Sequence, residues 1–297
     1  MKHIERMAVI GAGTMGRGIA QVGAGAGLAV ALYDVGPGLA ERGREGIQAF
    51  LNQGIAKGKV SEAERDAVLA RIETFGELAP AVVAADLVVE AAPEDLELKR
   101  RIFAELDRLA PGTAILATNT SSLPVGEIAG ATADPARVIG MHFFNPVPVM
   151  ALLEIVRPPA TGEDTLTAAL DVGRRMGKEC IVVSDTPGFA TSRLGLVLGL
   201  EAIRMLEQKV ASAEDIDKAM TLGYRHPMGP LRLTDLIGLD VRLAIAEHLY
   251  RTLGTAAFEP PALLRAMVAE GKLGMKSGRG FYDWSPAGTG SMMRREV

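Results

Sequence analysis

Cysteine occurs once in the 297 residues, at Cys180, so no internal disulfide can form and a reducing, cytoplasmic setting is expected. Cys180 opens the apolar run 180–183 and reads as packing rather than as a reactive thiol. An excess of one charge is also missing. The net charge of −4 gives no global field for nucleic acid or for an anionic membrane, and neither partner is expected. No apolar run approaches a membrane span; the most apolar stretch, 194–200, is bounded by Arg193 and Glu201. Residues 1–13 superficially resemble a basic region followed by a short apolar one. Glycines interrupt that apolar part and Arg17 follows at once, so it reads as mature protein. Among four histidines no cluster has metal-ligand spacing, and no metal is expected.

What is present suits two cores: 48% of the side chains are hydrophobic, and their period changes part-way along the chain. Residues 7–10 form a buried strand, followed by Gly11-Ala-Gly13-Thr14-Met15-Gly16 and a helical pattern. Glycines at these places permit a tight turn, close approach of the backbone to a pyrophosphate, and close helix packing, with the helix N-terminus facing the phosphates. The next strand, 28–33, ends in Asp34, eighteen residues after Gly16, close to the spacing at which an acid meets the adenosine ribose hydroxyls. Val35, Gly36 and Pro37 supply no arginine for a 2′-phosphate, so NAD is favoured over NADP.

A helix over 39–56 is followed by Lys57-Gly58-Lys59 and by Ser61, which starts another helix with Glu64 placed for a capping box. The two lysines suit a solvated turn by default, or a phosphate of a long anionic substrate. Strands over 86–91 and 114–117 come next. Glu94 and Lys99 fall just beyond the first, and Asn119 to Ser122 beyond the second, where open parallel sheets place their ligands.

The chemistry is expected in residues 140–154, GMHFFNPVPVMALLE. His142 ends an apolar strand, and Asn145, Pro146 and Pro148 forbid its continuation. The following apolar stretch carries Glu154, and a buried carboxylate requires a partner. Two strands joined across this turn bring Glu154 against the His142 ring, where it holds one tautomer and favours positive charge, as a general base requires. The alternative for such a pair is a satisfied core histidine beside a strand-edge glutamate.

The glycine motif, Asn119-Thr-Ser-Ser122, Gly140-Met-His142-Phe-Phe-Asn145-Pro-Val-Pro and Glu154 together resemble the L-3-hydroxyacyl-CoA dehydrogenase family. So do Asp185-Thr-Pro-Gly-Phe189, Pro227-Met-Gly-Pro230 and Lys276-Ser-Gly-Arg-Gly-Phe-Tyr282, and the resemblance covers nearly the whole chain in order. It implies His142 as the base that removes the 3-hydroxyl proton while hydride passes to the nicotinamide, with Glu154 steadying it. It further implies Ser121 on the substrate oxygen, Asn145 near the nicotinamide, and Glu94, Lys99 and Lys276 as cofactor contacts. Lys57 and Lys59 fall in the region the family uses for the CoA nucleotide. One departure is Ser192, where the family usually has asparagine before an arginine; its shorter reach bears on substrate range or turnover.

The expected architecture is therefore α/β: a Rossmann-type doubly wound sheet domain over 1–185, then an all-helical domain over 186–297. Residues 189–206 are apolar on nearly every face, which predicts a helix buried all round by its own domain and a second subunit. A homodimer through these helices is expected, as the resemblance also implies. One long helix is expected over 231–253, and a poorly ordered tail from Pro286. Two other readings are a dehydrogenase of free 3-hydroxy acids or sugar acids such as L-gulonate, which has no use for Lys57 and Lys59 as phosphate ligands, and a non-catalytic NAD(H)-binding sensor.

Overall fold

The computed structural model describes residues 3–285 and Gly288. The chain divides into two compact units, Met1–Phe189 and Ala190–Val297. The tail from Pro286, expected to be poorly ordered, lies outside the described residues apart from Gly288.

In the first unit eight strands form one sheet: β1 (Arg6–Ile10), β2 (Ala29–Tyr33), β3 (Ile72–Phe75), β4 (Leu87–Glu90), β5 (Ile115–Thr118), β6 (Val138–Phe143), β7 (Leu152–Arg157) and β8 (Glu179–Ser184). Their order is β3-β2-β1-β4-β5-β6-β7-β8, parallel throughout except where β7 runs antiparallel to β6. The helices are α1 (Thr14–Gly25), α2 (Leu39–Ala56), α3 (Glu62–Ala70), α4 (Leu78–Val82), α5 (Leu96–Leu109), α6 (Val125–Ala129) and α7 (Glu163–Arg175). The expected capping box is present: the Glu64 amide donates to the Ser61 hydroxyl, and the Ser61 amide donates to the Glu64 carboxylate.

The two-residue period of the strands sorts their side chains into two cores. Met7, Val9, Leu87, Val89, Ile115, Ala117, Ile139, Met141, Leu153 and Ile155 pack with Ile19 of α1, Ile47 of α2 and Val172 of α7. Ala8, Ile10, Val88, Leu116, Val138 and Val156 pack on the other face with Phe103 and Leu106 of α5 and Ile128 of α6. The same alternation puts Glu90, Thr118, His142 and Glu154 on this second face, at the strand ends.

The second unit is helical: α8 (Thr191–Glu207), α9 (Ala213–Gly223), α10 (Pro230–Ile237), α11 (Leu239–Leu253) and α12 (Ala262–Ala269). One expectation needs correction here. The helix expected over 231–253 is two helices, because Gly238 takes φ 107°, a conformation that interrupts the helix and that glycine tolerates. On α8 the chain itself buries Leu196, Gly199, Leu200, Ala202 and Ile203, while Leu194 is 69% exposed and is left for the expected second subunit. Two buried aspartates tie this unit's late segment to its helices. Asp235 accepts from the amides of Phe281 and Tyr282 and from Trp284 Nε1, and Asp217 accepts from the Leu231 and Arg232 amides and the Tyr282 hydroxyl. Desolvation pushes both carboxyl groups above the usual carboxylate range.

Candidate active site

The loops at the carboxyl ends of β1, β2, β4, β5 and β6 line two cavities that share Met15, Ala91 and Ala92. The larger, 620 Å³, is walled by the glycine turn, Asp34 and the residues after β4. Gly11 has φ 101°, and a Cβ on Gly16 would lie 1.7 Å from the Gly11 carbonyl oxygen, so neither position accommodates a side chain. A Cβ on Gly13 would meet nothing within 4 Å. The turn is thus closed on its protein side and open on its cavity side, at the N-terminus of α1, where Thr14 and Met15 begin the helix. Asp34, on the cavity wall, accepts the Ala12 amide on Oδ2 at 2.8 Å and the Gly36 amide on Oδ1 at 3.4 Å. These residues fit a dinucleotide: a bare backbone with a helix N-terminus for the pyrophosphate, and a carboxylate for the ribose.

The smaller cavity, 390 Å³, is lined by Glu94, Asn119, Ser121, His142 and Asn145, five residues singled out in the sequence. His142 and Glu154 are direct register partners across the antiparallel pair β6–β7. His142 Nδ1 lies 2.7 Å from Glu154 Oε2, with the histidine 7% exposed and the glutamate completely buried. A carboxylate oxygen can only accept, so Nδ1 carries the proton and Nε2 is the ring's free basic nitrogen. The His142 ring packs against Phe144 and Phe189, at centroid distances of 4.4 and 6.0 Å. Asn119 Oδ1 accepts from the Phe143 amide at 2.9 Å, which fixes the β5 exit against the residue after His142. Glu94 Oε1 accepts from the Thr120 hydroxyl at 2.6 Å and from the Ser121 amide at 2.9 Å.

Lys99 is 1% exposed and does not line either cavity; its ammonium donates to Glu90 Oε1 at 2.7 Å and to the Ala92 carbonyl at 3.2 Å, and stands 3.5 Å from Glu94. Glu90, completely buried, also accepts from the Ala92 amide at 2.6 Å and the Thr118 hydroxyl at 2.7 Å. This network was not foreseen in the sequence. Its one signal there is an acid ending an apolar strand with a lysine nine residues later, a pattern that says little until α5 is packed on the sheet.

Lys57 ends α2 and Lys59 follows Gly58, which has φ 67°; both lysines are exposed, beyond both cavities. Ser192 lies in the first turn of α8 and Lys276 donates to Asp240 at 2.6 Å, both within the second unit. No helix among the described residues is long and apolar enough to cross a membrane.

Comparison with known proteins gives matches over nearly the whole length. Residues 6–186 match the model of the 3-hydroxyacyl-CoA dehydrogenase NAD binding domain, and residues 188–284 match that of the 3-hydroxyacyl-CoA dehydrogenase C-terminal domain. A probable 3-hydroxybutyryl-CoA dehydrogenase of Bacillus subtilis is 48% identical, over 95% of this chain and 98% of its own. The 3-hydroxybutyryl-CoA dehydrogenase of Mycobacterium tuberculosis is 44% identical, over 95% of this chain and 99% of its own. The solved structure of (S)-3-hydroxybutyryl-CoA dehydrogenase from Ralstonia eutropha superposes with a TM-score of 0.92 at 41% identity, covering 95% of this chain and all of that one.

Proposed function

The chain belongs to the 3-hydroxyacyl-CoA dehydrogenase family, and from that premise we propose that it oxidises (S)-3-hydroxyacyl-CoA to 3-oxoacyl-CoA with NAD, and catalyses the reverse reduction, through His142 and Glu154. It is an oxidoreductase with NAD as its cofactor. The observation that carries the residue roles is the 2.7 Å contact between Glu154 and His142 Nδ1 on a cavity wall.

Bound NAD supplies the hydride acceptor. The remaining work falls to the chain's own residues. The glycine turn and Asp34 hold the pyrophosphate and ribose, with Glu94, Asn119 and Asn145 toward the nicotinamide end and Lys276 as a further contact. His142 Nε2 takes the 3-hydroxyl proton as the C3 hydride leaves, and the imidazolium so formed is stabilised by the Glu154 carboxylate. In reduction the same imidazolium returns the proton. Ser121 donates to the oxygen on which charge develops. Lys99 acts from behind the cavity, through Glu94. Lys57 and Lys59 meet the CoA phosphates.

The names of the two relatives favour a four-carbon acyl group. The apolar residues left exposed on the helical unit, Leu194, Leu222 and Tyr224 at 69, 79 and 76%, favour a homodimer through its helices. A sedimenting monomer at micromolar concentration would remove that part of the reading. The single cysteine fits a cytoplasmic enzyme.

The test of the reaction is loss of NADH absorbance with acetoacetyl-CoA, run beside free acetoacetate and with NADPH in place of NADH. Rapid turnover of the thioester with NADH is expected. Preference for the free acid would move the substrate class to small hydroxy acids, and tight NADH binding without turnover of either would make the protein a sensor.

A further inference from the structure

Lys178, between α7 and β8, is 6% exposed, and both of its hydrogen-bond acceptors are neutral carbonyls. Its ammonium donates to the Val147 carbonyl at 2.5 Å and to the Met150 carbonyl at 2.7 Å. A lysine buried against dipoles rather than a carboxylate is costly to keep, and burial alone pushes its ammonium below the usual lysine range. The two carbonyls belong to one feature, the turn 145–150 that joins β6 to β7. Within that turn the amides of Val149 and Met150 both donate to the Pro146 carbonyl. The turn begins with Asn145, which lines the His142 cavity, and it lies directly between the two register partners His142 and Glu154. Its other side meets α1 closely: a Cβ on Gly18 would lie 2.8 Å from Val147 Cβ. A shift of the turn is therefore felt at Asn145 on one side and at the helix carrying the dinucleotide turn on the other.

We propose that Lys178 is a positioning residue for hydride transfer, clamping the turn 145–150 so that Asn145 stands in register with His142 and with α1. It touches neither cofactor nor substrate and acts through the two carbonyls it holds. The role rests on the reaction proposed above, since it assigns Asn145 to the nicotinamide end of the cavity.

The test compares wild type with Lys178→Met, which keeps the chain length and removes the donors, and Lys178→Arg, which keeps a cation with donors for both carbonyls. Two quantities are read for each: kcat and KM with acetoacetyl-CoA and NADH, and hydrogen exchange at the Val149 and Met150 amides. In Lys178→Met the turn amides exchange faster and kcat falls about a hundredfold, the scale of a displacement of about 1 Å at a reacting centre. Thioester KM and the dissociation constant of NADH stay within about threefold, with kcat taken per folded, NADH-binding molecule so that a loss of folded protein cannot mimic the fall. In Lys178→Arg both kcat and exchange stay near wild type if the turn is held, or move together if it is not. Normal turnover with a loosened turn, lost turnover with the turn intact, or a Lys178→Met protein unchanged in both would overturn the proposal. If Lys178→Met does not fold, Lys178→Arg decides by the same pairing of turnover and exchange. Wild type that binds NADH but turns over no thioester would instead remove the underlying reaction, while the exchange data would still report on the clamp.

Discussion

Two glutamates of this sheet are completely buried, Glu90 at the end of β4 and Glu154 within β7, and their partners set them apart. Glu90 is saturated by groups that stay in place: the Lys99 ammonium, the Ala92 amide and the Thr118 hydroxyl. It joins α5, the β4 exit and the β5 exit, in an ion pair with the Lys99 ammonium. Glu154 instead faces the His142 imidazole through Nδ1, which leaves Nε2 as the ring's second nitrogen. The first pair is read as scaffold, and the second is the one proposed to act in catalysis.

This contrast sets an order of expected effects on turnover. His142→Gln removes the base itself and lowers kcat about a thousandfold, within the range for general acid–base catalysis, while NADH binding measured by fluorescence titration is retained. Glu154→Gln keeps the shape, but its amide can offer Nδ1 either a donor or an acceptor and cannot stabilise the imidazolium. Its kcat falls about a hundredfold, again with NADH binding intact. Glu90→Gln strips a buried lysine of its counter-charge and is felt in stability, by about 3–5 kcal/mol in urea or guanidinium unfolding, with kcat per folded molecule within about tenfold. Equal losses of turnover at Glu90 and Glu154 would erase the distinction. The smallest effect belongs to the exposed lysines: replacing Lys57 and Lys59 together by alanine raises KM for the thioester about three- to tenfold, leaves kcat alone and does not alter stability. Solvent-facing charges of this kind can serve a ligand without serving the fold, the reverse of Lys99.

The sequence made the His142–Glu154 pair legible because short-range rules fix it. The residues Asn145, Pro146 and Pro148 end one strand, β7 starts at Leu152, and the alternation of the two strands then puts His142 opposite Glu154. The cofactor turn was legible for a similar reason, since Gly11 and Gly16 stand where no side chain fits. The Glu90 network was not, because Lys99 meets Glu90 only after α5 has packed on the sheet, and no local period encodes that approach. The five-residue helices α4 and α6 are too short to display a helical repeat. The division between α10 and α11 turns on the left-handed backbone of Gly238, where the apolar pattern itself runs on. Which part of α8 its own chain covers was not legible, because an apolar side chain such as Leu194 carries no sign of whether its own chain or another will cover it.

The most direct measurement is single-turnover hydride transfer from NADH to acetoacetyl-CoA, followed by absorbance in Glu154→Gln and Glu90→Gln at equal concentrations of folded, NADH-loaded protein. The account predicts a rate about a hundredfold below wild type for Glu154→Gln and within about tenfold for Glu90→Gln. A Glu154→Gln rate equal to wild type would contradict the assignment of His142 and Glu154 as the catalytic pair.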